Sequence, residues 1–185
     1  MGLDAPSQAP PARAAFAAAD VGEILEQPGW LTGAAEVARD SALHGWLARA
    51  ADLLSPHAAD RVALVDLLGL VFHYDAGAIL RESLSQAVLA REGSRDVIRE
   101  LANRVLDGGD IDSDRFKEII DSMKAALPQR SRELFHPVRL ALAGRAGEGE
   151  LDRVILLLDS AARLGFAVAV KGTRQRMLEF CAAMD

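Results

Sequence analysis

Four histidines stand at positions 44, 57, 73 and 136 of the 185-residue chain, and their placement limits the chemistry available. No two have the i, i+4 spacing with which one helix presents a zinc pair, and none adjoins a cysteine. Cys181 is the only cysteine, so an internal disulfide, a zinc ribbon and a CxxC redox pair are all excluded. It falls in an amphipathic segment with Met177, Leu178 and Phe180 and reads as an ordinary buried thiol. His73-Tyr74-Asp75 joins a potential base to a carboxylate, but no serine is marked as its nucleophile, and capping and packing are the expected roles. The acidic run Asp110 to Asp114, with Asp121 beyond it, has the outline of a calcium loop. Arg115 stands where that loop needs glycine, however, and Asp121 where it needs a bidentate glutamate. Acidic residues at a helix start already complement the helix dipole. The glycines from Gly144 to Gly149 lack the preceding strand of a dinucleotide or phosphate loop. Neither a cofactor nor a metal is expected.

What remains is a set of cations: Arg130, Arg132, Arg139, Arg145, Lys171, Arg174 and Arg176. Clustered Lys and Arg could contact phosphates, and guanidinium planes could stack on the bases of an RNA loop. The same residues could equally be solvated helix faces balancing Glu133, Glu150 and Asp152. The net charge of −6 argues against a general nucleic-acid binder. The acidity is uneven: Met1 to Ala126 hold 12 Lys/Arg against 20 Asp/Glu, whereas Leu127 to Asp185 hold 9 against 7. The basic set therefore lies in the mildly basic third.

The elements that must position these cations are helices. Half of the residues are hydrophobic and few are aromatic, which favours helix-rich packing around one core. Asp20 with Glu23 resembles a capping box for a short helix ending at Pro28-Gly29. Thr32 can cap a long helix to about Leu54, with Val37, Leu43, Leu47, Ala50 and Leu54 at helical spacing. Ser55-Pro56 reads as N-cap and first-turn proline of a helix to about Phe72. That helix is apolar on several sides and is expected to be the central one. Asp75 and Ser94 can cap the next two helices, the first with Ile79, Leu80, Leu84 and Val88 inward. The second carries Val97, Ile98, Leu101 and Val105 and ends at Asp107-Gly108-Gly109. Ser113–Leu127 places Phe116, Ile119, Ile120 and Met123 on one face. Pro137 fits the first position of a short helix that Gly144 stops. A helix through Leu151, Val154, Ile155, Leu158 and Leu164 breaks at Gly165, Phe166–Val170 is a linker, and a last helix starts at Thr173. The expected fold is all-α: a Pro/Ala-rich flexible tail over residues 1–19 and one helical domain over 20–185. No basic start precedes an apolar block, and no apolar run spans a bilayer, so a soluble cytoplasmic protein is expected.

Arg132 to Leu151, RELFHPVRLALAGRAGEGEL, resembles a signature near the C-terminus of bacterial glutamyl-tRNA synthetases. There a basic lead-in precedes L-F-x-P-L-R-x-A-L-T-G, three variable residues and G-P-x-L. Leu134, Phe135, Pro137, Arg139, Ala141, Leu142, Gly144 and Leu151 match. Specific similarity covers about Asp114–Leu178; only helical texture supports the earlier half. The chain departs from the pattern at Ser131 (usually glycine), Ala143 (the threonine of T-G) and Glu148-Gly149 (the glycine-proline pair).

The resemblance implies the anticodon-binding domain of a class I synthetase, built as a helical bundle or superhelix. The HIGH-like and KMSKS-like motifs of the catalytic domain do not occur, so no aminoacylation activity is expected. It implies a free-standing tRNA-binding module in translation whose partner is tRNA-Glu or tRNA-Gln, contacted by the basic set. A synthetase or other translation protein is a further possible partner. The alternative is a helical scaffold that kept the fold and lost tRNA recognition, holding a protein in an apolar groove around Trp30 and Trp46. Met1 and the Pro/Ala-rich opening fit a chain that stands by itself better than a piece of a full synthetase.

Overall fold

A computed structural model describes residues 15–33 and 40–184. Among these residues there are ten α-helices and no strand. In chain order they are α1 (Ala18–Glu26), α2 (Ser41–Leu54), α3 (Arg61–Phe72), α4 (Ala76–Arg81) and α5 (Ser83–Leu89). There follow α6 (Ser94–Leu106), α7 (Ser113–Ala126), α8 (Ser131–Ala143), α9 (Glu150–Ala162) and α10 (Thr173–Met184). Side-chain carboxylates start four of them by accepting first-turn N–H groups. Asp40 caps α2, Asp60 α3, Asp75 α4 and Asp112 α7, with bonds of 2.8–3.2 Å. The acidic run before α7 thus supplies a cap.

The late helices hold the early ones together. α1 packs on α2, while α2 and α3 both pack on α9. On the other side α9 meets α8, which also meets α5, α6 and α10. Val154 to Leu158 are all buried, five consecutive residues that cover more than a full turn. A helix buried on every side is a core helix. Trp46 ties this seam together, its Nε1–H donating to Leu157 O at 3.2 Å. Trp30, Trp46, Phe72 and Phe166 form one aromatic cluster, Trp30 stacked on Phe72 with centroids 4.7 Å apart. Both tryptophans are buried, so the apolar groove imagined around them is filled by the protein itself. No described helix is long and apolar enough to cross a membrane.

The core helix is therefore α9 rather than α3, whose Val62 and Val65 face solvent at 76% and 38% exposure. Composition cannot separate these two apolar helices; only their neighbours do. Asp20 sits in the first turn of α1 rather than capping it, accepting from Ala17 N–H at 2.7 Å. The long helix expected from Thr32 begins, among the described residues, at Ser41; Val37 lies outside them. Ser55-Pro56 makes a single 3₁₀ turn ahead of Asp60. The Asp75 helix breaks at Glu82, and Leu84 is 75% exposed beyond the break. Ser94 is not a cap: Gly93 precedes α6 at φ +78°, and the buried Ser94 hydroxyl donates back to Val88 O at 2.8 Å. Pro137 is interior to α8, not its first residue, because the helix already starts at Ser131. Leu164 falls past the end of α9, and Cys181 is half-buried. The tail expected over residues 1–19 lies mostly outside the described residues; α1 begins at Ala18, and Phe16 N–H donates to Ser55 Oγ at 3.2 Å.

Candidate nucleic-acid interface

Two of the seven cations are committed to the fold. Arg176 has no exposed surface, and its guanidinium donates to Leu142 O, Leu70 O and Val71 O at 2.7–3.0 Å, with Nε on Lys171 O at 2.8 Å. These acceptors include carbonyls in the last turns of α3 and α8, which no intrahelical N–H reaches. The guanidinium lies 4.6 Å over the Tyr74 ring, and burial pulls its pKa down to about 10, so it stays charged at neutral pH. Tyr74 O–H donates to Ala141 O at 2.5 Å, and burial pushes its pKa up. Sequence reading assigned Tyr74 only a place beside a cap. Arg139 is 7% exposed and grips Asp152 through two bonds of 2.7 and 2.8 Å, while Nη1 donates to Gly147 O at 2.7 Å. This bidentate pair fixes the turn from α8 into α9.

The remaining five stand at opposite ends of α8. Arg145 pairs with Asp66 at 2.7 Å. Lys171 donates to Glu179 at 2.6 Å and to Tyr74 O at 3.1 Å, and the exposed Arg174 donates to Leu106 O. These three belong to the C-terminal end of α8, where Arg176 touches Leu142. Arg130 and Arg132 stand at the N-terminal end, about 20 Å away along thirteen residues. Arg130 donates to Leu127 O and Gln129 O, both close in sequence. Arg132, with 74% of its side chain exposed, meets Glu148 at 3.1 Å. The sequence-defined set is thus divided rather than gathered into one patch.

The fold adds cations at the N-terminal end of α8 that sequence reading missed. The turn between α5 and α6 brings up Arg91, whose Nη1 is 3.5 Å from His136 Nδ1. Exposed Arg95 follows in the first turn of α6. Gln129 lies so close over Gly93 that a Cβ there would meet its amide nitrogen at 1.8 Å. No sequence signal joins these segments, which are some 40 residues apart; packing of α5 and α6 on α8 does. Burial, Arg91, Arg132 and Arg139 lower the His136 pKa, and Glu148 opposes them. Beside this cluster Ser131 has φ +46°, the only positive value at a non-glycine among the described residues. This is the position where the resembling signature usually carries glycine, and a left-handed backbone is the reason.

The described residues form an all-α domain with exposed arginines at the N-terminal end of α8 and with Arg139 and Arg176 spent on packing. Residues 23–163 match the anticodon binding domain family, and the chain belongs to it. The chain is 32% identical over 84 residues to a protein described as glutamate–tRNA ligase 2 of Syntrophus aciditrophicus (strain SB). That stretch is 45% of this chain and 15% of the ligase, so the similarity covers a small part of the relative. No solved structure matches. The family match begins at residue 23, well before Asp114, so the early helices belong to the domain too.

Proposed function

We propose that this chain binds the anticodon arm of a tRNA, with tRNA-Glu and tRNA-Gln the first candidates, and performs no aminoacylation itself. The observation that carries the reading, beside family membership, is the exposed pair Arg130 and Arg132 at the start of α8. Arg139 and Arg176 leave the contact set, since their donors are occupied inside the fold. They shape the surface instead. Binding would act by position, through phosphate contacts that fix register and a few base contacts that select. The place of action is the cytoplasm, where tRNA is used.

Retention of total tRNA at two salt concentrations, followed by sequencing of the bound fraction, tests this. Enrichment of tRNA-Glu or tRNA-Gln, an affinity that falls with salt by the slope of a few phosphate contacts, and loss of both in Arg130→Ala/Arg132→Ala are expected. A lack of retention at low salt would sink the reading. A second reading, a helical partner for a synthetase or other protein, draws on Arg132 and Arg145 already being engaged by Glu148 and Asp66.

A further inference from the structure

Holding an RNA loop takes a flat surface as well as charge, and most of the described aromatic rings are spent inside the fold. Trp30, Trp46, Phe72, Tyr74 and Phe180 are buried. Phe16, Phe116, Phe135 and Phe166 keep some surface, and of these Phe135 is, among the described residues, the one with cations over its ring. Arg139 Cζ lies 4.8 Å from the ring centre, from four residues further along α8. Its bonds to Asp152 and to Gly147 O hold that guanidinium in place, so it backs the ring as a fixed plate. A ring already packed in this way loses little freedom when something stacks on it. Lys124, in the last turn of α7, approaches the same ring to 6.0 Å. Arg132 stands three residues before Phe135 on α8 and shares its face. The partners of these two cations, Asp121 at 3.4 Å and Glu148 at 3.1 Å, are both exposed. Such surface pairs are weak and easily exchanged.

We propose that Phe135 is a stacking platform for one unpaired base of an RNA loop, with Lys124 and Arg132 on the flanking phosphates. The proposal rests on the tRNA reading and names a base contact within it. An aromatic surface beside exchangeable cations is how single-stranded nucleic acid is commonly held: the ring takes the base and the cations take the backbone. Every base has a π face, so stacking here adds affinity and register and leaves the choice of tRNA to other groups. It also supplies attraction that salt does not screen, which suits a protein of net charge −6.

The test is a titration of the whole protein with the anticodon stem–loops of tRNA-Glu and tRNA-Gln at two salt concentrations, repeated with loops that each carry a single abasic site. Phe135→Leu is expected to weaken binding about tenfold with an unchanged salt slope, because it removes a π face and no charge. Phe135→Trp is expected to bind at least as tightly as the wild type. Lys124→Gln should instead flatten the log–log salt slope by about 0.7. One abasic position is expected to cost the wild type about tenfold and Phe135→Leu nothing further, since its stacking partner is already gone. Thermal melts of each variant accompany the titration. A merely structural role for Phe135 would lower the melt and leave every abasic penalty as it is in the wild type. Wild-type affinity in Phe135→Leu, or equal abasic penalties in the two proteins, overturns the platform and leaves the tRNA reading standing. Absence of binding of either stem–loop by the wild type overturns both.

Discussion

Arg176 and Arg132 carry the same guanidinium within one basic stretch, yet one is wholly buried on helix-end carbonyls and the other is largely in solvent. Replacing Arg176 by Met would keep much of the volume and strand the carbonyls of Leu70, Val71 and Leu142. The expected loss is about 3 kcal/mol or more, read as a lower midpoint in urea unfolding. Ser131 makes the opposite prediction. Its φ of +46° carries a steric cost that glycine would not, so Ser131→Gly should raise stability by about 0.5–1 kcal/mol in the same assay. His136 sets a pH dependence. Its pKa is held below the ordinary value of 6.5, so the folded state binds the proton more weakly than the unfolded chain. Stability from this group is complete above the unfolded pKa and falls as pH drops through it towards the folded value. Melting temperatures from neutral to mildly acidic pH should show that fall, and His136→Gln should make it shallower.

At the scale of elements, α8 is the organiser. Its C-terminus turns through Gly144 at φ +84°, and a Cβ there would come 3.1 Å from Ile79 Cδ1. Gly144→Ala therefore meets both backbone strain and a crowded neighbour, and is expected to cost on the order of 1–2 kcal/mol by thermal melting. The turn that follows is pinned by Arg139 on Asp152 and on Gly147 O, which brings Glu148 back to Arg132. A similar device starts α10: buried Asp159 accepts from Ile111 N–H, Thr173 N–H and the Thr173 hydroxyl, each at 2.7 Å. The Asp75 cap, the starts at Ser113 and Thr173, the Gly144 stop and the apolar face of α6 were legible in the sequence, because caps and periodicity are local physics. Asp60, the break at Glu82 and the true start of α8 were not, since tertiary contacts chose among several workable local caps.

For the whole molecule the question is whether an acidic protein can hold a polyanion. The net charge of −6 is not what RNA would meet; the field near Arg91, Arg95, Arg130 and Arg132 is. Weak binding with a small salt slope is expected, because few phosphates are neutralised, and the two-salt tRNA titration reads that slope directly. A slope corresponding to many contacts would require a larger basic surface than the N-terminal end of α8 provides.

The sequence by itself determined the all-α architecture, the glycine stop after α8 and the family, for these follow from residue spacing along one segment. It also marked seven cations as the surface to examine. Only the tertiary structure decided which of them are free. Burial is a property of neighbours: α3 and α8 end against α10, so Arg176 caps them, while Arg132 faces out. The same packing set Arg91 beside His136 across 45 residues of chain, a proximity that no local pattern encodes.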